Sequence, residues 1–175
     1  YPKSGNTLLR SILSAYFFSN DGKFKFENLY KINQFPLLKH FIPIGVDIKD
    51  DEAIFKNFVN AQNFINEQKG KVKFFKTHSS FSKINNINFT NLQNTLGVIY
   101  VVRDPRNVVT SLAHHYDLSI DKAIDTIMDE EKFMSRTDKN AKVHTGSWNF
   151  NYNSWKNFQQ QKRFLLIKYE DLISK

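Results

Sequence analysis

The sequence contains no cysteine among its 175 residues. This absence excludes disulfide bridges, thiolate nucleophiles and zinc–thiolate centres together. The chain also has no apolar run near the ~20 residues that span a bilayer, so we expect no stable membrane insertion of this segment. What is present is 41% hydrophobic and 15% aromatic residues, a composition typical of a single globular domain.

Acidic residues are the minority among the charges. Lysine and arginine number 25 against 17 for aspartate and glutamate, giving a net charge of +8. Such a balance favours an anionic partner: nucleic acid, a membrane surface or a phosphorylated small molecule. The lysines are scattered, with no block of five or six like charges, so the net charge does not select among these partners.

Hydrophobic periodicity predicts helices that alternate with short strands. We expect helices over residues 8–19, 51–68, 120–133 and 147–160, and another beginning after Asp104, which can cap it. We expect strands over residues 71–76, 96–102 and 163–169, with irregular structure over 23–50. The β-branched run at 96–102 predicts burial on both faces, as in a parallel sheet. Together these elements predict a three-layer α/β fold with a mainly parallel sheet flanked by helices.

The first residues have the composition of an anion-binding loop. Gly5 and small neighbours let backbone N–H groups approach an anion at the start of the first helix. Lys3 adds a point charge, and Ser4, Asn6 and Thr7 add side-chain donors. The lysine precedes the glycine, unlike the nucleoside triphosphatase pattern in which it follows. An ordinary helix start, capped by Ser4 or Asn6, remains open.

Four further motifs follow this loop in order. They are Lys76-Thr77-His78 at a strand end, Tyr100 to Arg106 followed by Ser111, Gly146-Ser147-Trp148 with Trp155, and Tyr169-Glu170-Asp171-Leu172. With Tyr1 to Thr7, the series resembles the cytosolic-type sulfotransferase family, which uses 3′-phosphoadenosine 5′-phosphosulfate (PAPS). The resemblance covers nearly the whole chain, and it implies a cytoplasmic, P-loop-like enzyme that needs no metal.

The resemblance also implies a role for each motif. The residues implied at the donor are Lys3 on the phosphosulfate, Ser4, Gly5, Asn6 and Thr7 around the 5′-phosphate, Arg103 and Ser111 on the 3′-phosphate, and Tyr169 near the adenine. Those implied in the transfer step are His78 as general base, with Lys3 and Lys76 stabilising the transferring group. Positioning and charge stabilisation dominate such chemistry, as in phosphoryl transfer.

Taken singly, these residues also have structural interpretations. His78 is compatible with a capping or surface role, Ser111 with a bond to its own helix, and Tyr169 with core packing. Arg103 is compatible with a surface ion pair to Asp104 or Glu170.

The sequence departs from the family pattern at several points. Leu8 stands where the family often has tryptophan, and Asn6 where it often has threonine. The strand that feeds the loop would precede Tyr1, and the family's later Arg-Lys-Gly segment would follow Lys175. We therefore expect residues 1–175 to form one partial domain, with an open slot in its sheet and weak cofactor binding on its own.

Two other functions remain open at this stage. A small-molecule or nucleoside kinase would need a lysine after the loop glycine and carboxylates for Mg²⁺. A non-catalytic nucleic-acid binder would need a continuous basic stripe with stacking aromatics; the scattered lysines argue against it, and we expect no nucleic-acid partner. The acceptor of a sulfotransferase, whether a small molecule, carbohydrate or lipid, is not specified by the sequence, nor is the oligomeric state.

Overall fold

The computed structural model describes residues 1–67 and 72–174. Helices and strands alternate along them, joined by 3₁₀ turns at Phe26–Lys31, Leu38–His40, Ile42–Ile44 and Lys156–Gln161. The helices are α1 (Asn6–Phe18), α2 (Asp51–Lys56), α3 (Phe58–Glu67), α4 (Pro105–Tyr116), α5 (Ile120–Met128), α6 (Trp148–Trp155) and α7 (Tyr169–Ile173). The strands are β1 (Asn33–Gln34), β2 (Phe75–Lys76), β3 (Lys83–Ile84), β4 (Ile87–Asn88), β5 (Val98–Val102), β6 (Phe133–Met134), β7 (Val143–His144) and β8 (Phe164–Lys168).

Side-chain caps fix several helix starts. The Asp104 carboxylate accepts from the backbone N–H of Arg106 at 2.9 Å, with Pro105 as the first helical residue. Ser147 accepts from the backbone N–H of Phe150 at 3.0 Å and starts α6 in the same way. The cap predicted at Asp104 is therefore confirmed, and it places α4 directly after β5.

The helix predicted over 51–68 is interrupted. Asn57 ends α2, because its backbone N–H bonds back to Ile54 and its side chain donates to the Ala53 carbonyl at 2.9 Å. The chain becomes helical again at Phe58, where α3 begins. The last predicted residue, at position 68, lies outside the described residues.

Other predicted bounds are longer than the observed elements. The helix predicted over 120–133 ends at Met128, and the one over 147–160 leaves α-helical geometry after Trp155 and continues as a 3₁₀ turn. Of the strand predicted over 71–76, Phe75–Lys76 is a strand, and position 71 lies outside the described residues. The sequence pattern locates these elements better than it locates their ends.

The sheets confirm parallel strands flanked by helices. β5 pairs with β8 in parallel over five residues each, from Val98 opposite Phe164 to Val102 opposite Lys168. β1 pairs with β2 in parallel, with Gln34 opposite Lys76. Short antiparallel pairs join β3 to β4 and β6 to β7.

A cavity of about 920 Å³ separates the two parallel pairs, lined by β2 on one side and by β5 and β8 on the other. β5 thus has a strand partner on one edge. Within the described residues, burial on both faces of this strand is not observed: Tyr100 and Val101 are buried, but Ile99 is 36% exposed and Leu96, just before the strand, is 65% exposed.

Two apolar clusters hold these elements together. The larger packs aromatic rings between α3, the segment after β1 and α6; its most buried members are Phe41, Ile54, Ala61 and Phe158. The smaller joins α4 and α5 to the start of the chain through Tyr1, Val108, Val109, Leu112, Ala113 and Ala123. This second cluster anchors the loop that precedes α1.

Candidate active site

The loop before α1 has an unusual backbone. Lys3 has φ 63° and Gly5 has φ 104°, both in the left-handed region. Gly5 is the N-cap of α1, and no side chain accepts a hydrogen bond from the first helical turn there. The Asn6 amide instead donates to the Tyr1 carbonyl at 3.2 Å. The alternative that Ser4 or Asn6 caps this helix is therefore wrong, and the helix start keeps the N–H geometry that binds anions.

Ser4 lies at the bottom of this loop. Its relative exposure is 0%, and its hydroxyl has no hydrogen-bond partner among the described residues. Buried hydroxyls almost always have a partner, so this group fits a site that receives one from a ligand. Thr7, one turn further along, has an exposed side chain, and Lys3 is half-buried.

Tyr169 and Arg103 pack against the loop from distant parts of the chain. The Arg103 guanidinium lies 4.5 Å from the centroid of the Tyr169 ring, and its Nη1 donates to the Lys3 carbonyl at 3.1 Å. The Tyr169 ring lies directly on Gly5, where an added Cβ would overlap ring carbon Cδ2 and lie 2.9 Å from Cε2. The first, third and fifth motifs therefore meet at one place.

The surface ion pair considered for Arg103 is not formed. Asp104 pairs with Arg106 instead, and the Glu170 carboxylate accepts from the backbone N–H of Asp104 at 3.0 Å. The Arg103 Nε is buried without a partner. Arg103 thus bonds the loop backbone through Nη1, while its Nε–H donor is unsatisfied.

Lys76 and His78 leave β2 beside the loop. The Lys76 Nζ donates to the Gln34 side-chain oxygen at 2.8 Å. Burial, with a smaller contribution from the charge of Arg10, lowers the pKa of Lys76 to about 8. Burial and then the charge of Lys76 hold the pKa of His78 well below its usual value, and its Nδ1 is buried without a partner. His78 is therefore neutral at pH 7, the form that can accept a proton.

A buried amide supports the backbone of His78. The Asn151 side chain donates to the carbonyls of His78 at 3.2 Å and Thr145 at 2.8 Å, while the Tyr100 hydroxyl donates to the Asn151 side-chain oxygen at 2.9 Å. The Trp155 indole donates to the next carbonyl, that of Ser79, at 2.9 Å. Sequence reasoning missed this role of Asn151. The available signal was a polar residue between two tryptophans on one helix.

His144 was also missed, and its ring is fully engaged. Its Nε2 lies 2.8 Å from the Glu130 carbonyl, which can only accept, so Nε2 carries the proton. Its Nδ1 therefore accepts from the hydroxyls of Ser80 and Ser82, each at 3.0 Å. This histidine ties down the segment after His78 and has no free nitrogen for chemistry.

Ser111 is not joined to the loop by any hydrogen bond within residues 1–67 and 72–174. It is half-buried on α4, about 9 Å along the helix axis from Pro105. Its predicted contact with a 3′-phosphate stays a prediction. His114 and His115, further along α4, are exposed, in keeping with the structural role that we give them.

Replacing Asn151 with aspartate tests the support of His78. At pH 7 the Asn151→Asp carboxylate would face two carbonyl oxygens in a site that is 1% exposed. We expect the complete protein to lose roughly 2–4 kcal/mol of unfolding free energy, since a buried charge is left unpaired. Asn153→Asp, two residues along on the exposed face, is the control and should change stability by less than ~0.5 kcal/mol. Urea denaturation measures both, and equal losses would contradict the role of Asn151.

Two other kinds of site are absent from the described residues. No group of three or more histidine, aspartate or glutamate side chains is placed to hold a metal ion. None of the described helices is long and apolar enough to cross a membrane.

Fold and loop together define a P-loop-like α/β domain, and comparisons agree with that class. The structure of mouse sulfotransferase SULT7A1 complexed with PAP matches with a TM-score of 0.56 and 18% sequence identity. The match covers 100% of this chain and 51% of that one, so the chain spans about half the length of the matched protein. A sequence search of curated proteins found no match.

The family is settled by sequence. The model of the sulfotransferase domain matches residues 1–175. The chain therefore belongs to the sulfotransferase domain family, and the resemblance to cytosolic-type sulfotransferases is confirmed.

Proposed function

We propose that this protein transfers a sulfuryl group from PAPS to a hydroxyl or amine acceptor, releasing adenosine 3′,5′-bisphosphate (PAP). The observation that carries the proposal is the meeting of the uncapped loop with Arg103 and Tyr169, beside Lys76 and His78. The family supports the reaction class. The presence of PAP in the matched mouse enzyme supports the donor.

The chemistry of the residues fits an anionic nucleotide. Ser4, His78 and Arg103 each have a buried polar atom without a partner among the described residues, and such atoms are satisfied when a polar ligand binds. The proposed donor contacts are Lys3, Ser4, Gly5, Asn6 and Thr7 at the 5′ end, Arg103 and Ser111 at the 3′-phosphate, and Tyr169 at the adenine.

The proposed step moves one group and one proton. The bond between sulfur and the oxygen bridging it to the 5′-phosphate breaks, and a bond from sulfur to the acceptor oxygen or nitrogen forms. The acceptor's proton passes to the neutral His78 ring. Lys3 and Lys76 offset the negative charge that develops on the leaving oxygen. A phosphate nearby would also raise the depressed pKa of His78 and strengthen it as a base.

Affinity for PAP is expected to depend on pH through Lys76. Its pKa is about 8, so its ammonium is fully charged well below that pH and loses its charge above it. We expect the dissociation constant for PAP to be constant from pH 6.5 to 7.5 and to rise up to ~10-fold per pH unit above pH 8. Titration calorimetry at several pH values measures this dependence in the complete protein.

Lys76→Arg provides the control for this pH dependence. Arginine stays charged at every accessible pH, so the variant should bind PAP with little change between pH 7 and 9. A rise in the dissociation constant of equal size in both proteins would assign the titration to another group.

A transfer screen tests the proposed function. The complete protein is incubated with PAPS carrying ³⁵S and with phenol, alcohol, sugar, lipid and amine acceptors. We expect labelled product from at least one class, without added Mg²⁺. Mg²⁺-dependent turnover of ATP, with no transfer of label from PAPS to any acceptor, would overturn the proposal in favour of a kinase.

A further inference from the structure

Lys76 is held by a neutral partner. Gln34 lies directly opposite it in the parallel pair of β1 and β2, and the backbone N–H of Phe35 donates to the Lys76 carbonyl at 2.9 Å. This pairing puts the two side chains on the same side of the pair. The Lys76 Nζ reaches the Gln34 oxygen at 2.8 Å. The register between β1 and β2 therefore places Gln34 where its side chain orients the Lys76 ammonium.

No carboxylate compensates this ammonium. The ion pairs formed within residues 1–67 and 72–174 lie elsewhere: Lys56 with Glu52, Arg106 with Asp104, and Arg136 with Asp51. A lysine ammonium has three donors, and the Gln34 oxygen accepts from one of them. Two N–H donors and the whole positive charge are thus available to an anionic ligand.

The groups around Lys76 are otherwise cationic or neutral. Arg10 from α1 donates through Nη2 to the carbonyls of Leu29 at 2.9 Å and Ile32 at 2.8 Å, so its charge is not paired with an acid. His78, two residues along and held neutral by burial, is the other titratable group beside Lys76 among the described residues. A partly buried cluster of this kind is stabilised by an anionic ligand.

We propose that Gln34 is the positioning residue of Lys76: its neutral amide orients the ammonium without neutralising it, which leaves the full charge for the phosphosulfate of the donor. This inference rests on the proposed function. A glutamate at position 34 would orient Lys76 equally well but would take its charge. Because its partner is an amide and not a carboxylate, Lys76 keeps its full positive charge for an anionic ligand.

Gln34→Glu tests whether Gln34 positions Lys76 for a ligand or only contributes a structural hydrogen bond. It keeps the shape and the hydrogen bond and adds an ion pair, so the fold should be at least as stable as in the wild type. The Lys76 pKa should rise, because an opposite charge favours the ammonium. Affinity of the complete protein for PAP at pH 7 should nevertheless fall, by about tenfold, since the ammonium is now shared with a carboxylate.

Gln34→Leu should shift the Lys76 pKa in the opposite direction. It removes an acceptor that favours the ammonium, so the Lys76 pKa should fall and affinity for PAP should weaken already at pH 7. Opposite pKa shifts show that Gln34 bonds the ammonium in solution, whereas a merely structural contact would leave PAP affinity unchanged in Gln34→Glu, which keeps that contact. Both pKa values are read from the pH dependence of Lys76 acetylation by acetic anhydride, quantified by mass spectrometry, and PAP affinity from calorimetry.

The acetylation measurement keeps this inference separate from the proposed function. If the wild type does not bind PAP, the proposed function fails, but opposite shifts of the Lys76 pKa would still support the role of Gln34. An unchanged Lys76 pKa in Gln34→Glu overturns the inference. So does an unchanged PAP affinity in that variant when the wild type binds PAP.

Discussion

Gly5→Ala is expected to abolish PAP binding and sulfuryl transfer in the complete protein. Gly5 has φ 104°, where an L residue costs about 1–2 kcal/mol. The added methyl would also overlap the Tyr169 ring, so the ring or the loop must move. The Arg103 guanidinium packs on the Tyr169 ring and donates to the Lys3 carbonyl. A shift of Tyr169 would therefore displace the whole loop before α1. We expect at least ~100-fold weaker PAP binding, as positioning dominates this chemistry.

Gly22→Ala is the matched control for this substitution. Gly22 also has a left-handed backbone, with φ 69°, but nothing lies within 4 Å of an added Cβ. It should therefore lose a similar ~1–2 kcal/mol of stability through strain alone, with PAP affinity unchanged. Calorimetric PAP affinity close to the wild-type value in Gly5→Ala would show that Tyr169 does not constrain the loop.

His78→Ala is expected to slow transfer by ~10²–10⁴-fold, the usual contribution of a general base. The neutral ring of His78 has a free, buried Nδ1, and no other described histidine beside the loop has a free nitrogen. The dissociation constant for PAP should stay within a few-fold of the wild type, because Lys3, Lys76 and Arg103 remain. Single-turnover kinetics and calorimetry separate these two effects.

His144→Ala is the control for the His78→Ala substitution. His144→Ala removes the ring that accepts from Ser80 and Ser82, and it should lower stability while leaving the chemical step much less affected than His78→Ala. Equal slowing by both substitutions would indicate that loss of the loop structure, and not of a base, limits the reaction.

Much of the fold could be predicted from the sequence, because local signals determine where elements begin. Asp104 with Pro105, and Ser147 before Trp148, start helices through caps that can be recognised in the chain. The alternation of apolar runs was enough to predict a parallel sheet flanked by helices. Element ends were harder to predict: Asn57 interrupts the predicted helix through its own bonds to Ile54 and Ala53, and α5 ends at Met128 inside the predicted range.

The candidate site was partly predictable for a different reason. The loop, Lys76, His78, Arg103 and Tyr169 were located from motifs, yet the contacts that orient them were not. Gln34 lies in a segment predicted to be irregular, and its relation to Lys76 arises only from β-strand register. The ring of Tyr169 on Gly5 joins residues that are far apart in the chain. Such pairings follow from the fold and leave no local pattern.

The proposed site should move sulfur to the acceptor and leave phosphorus with the nucleotide. A donor carrying ³⁵S in the sulfuryl group and ³²P in the 5′-phosphate tests it in a single reaction with the complete protein. We expect ³⁵S to appear in the acceptor while all ³²P remains in PAP. Transfer of ³²P to the acceptor, or hydrolysis of the donor with no ³⁵S in any acceptor, would contradict it.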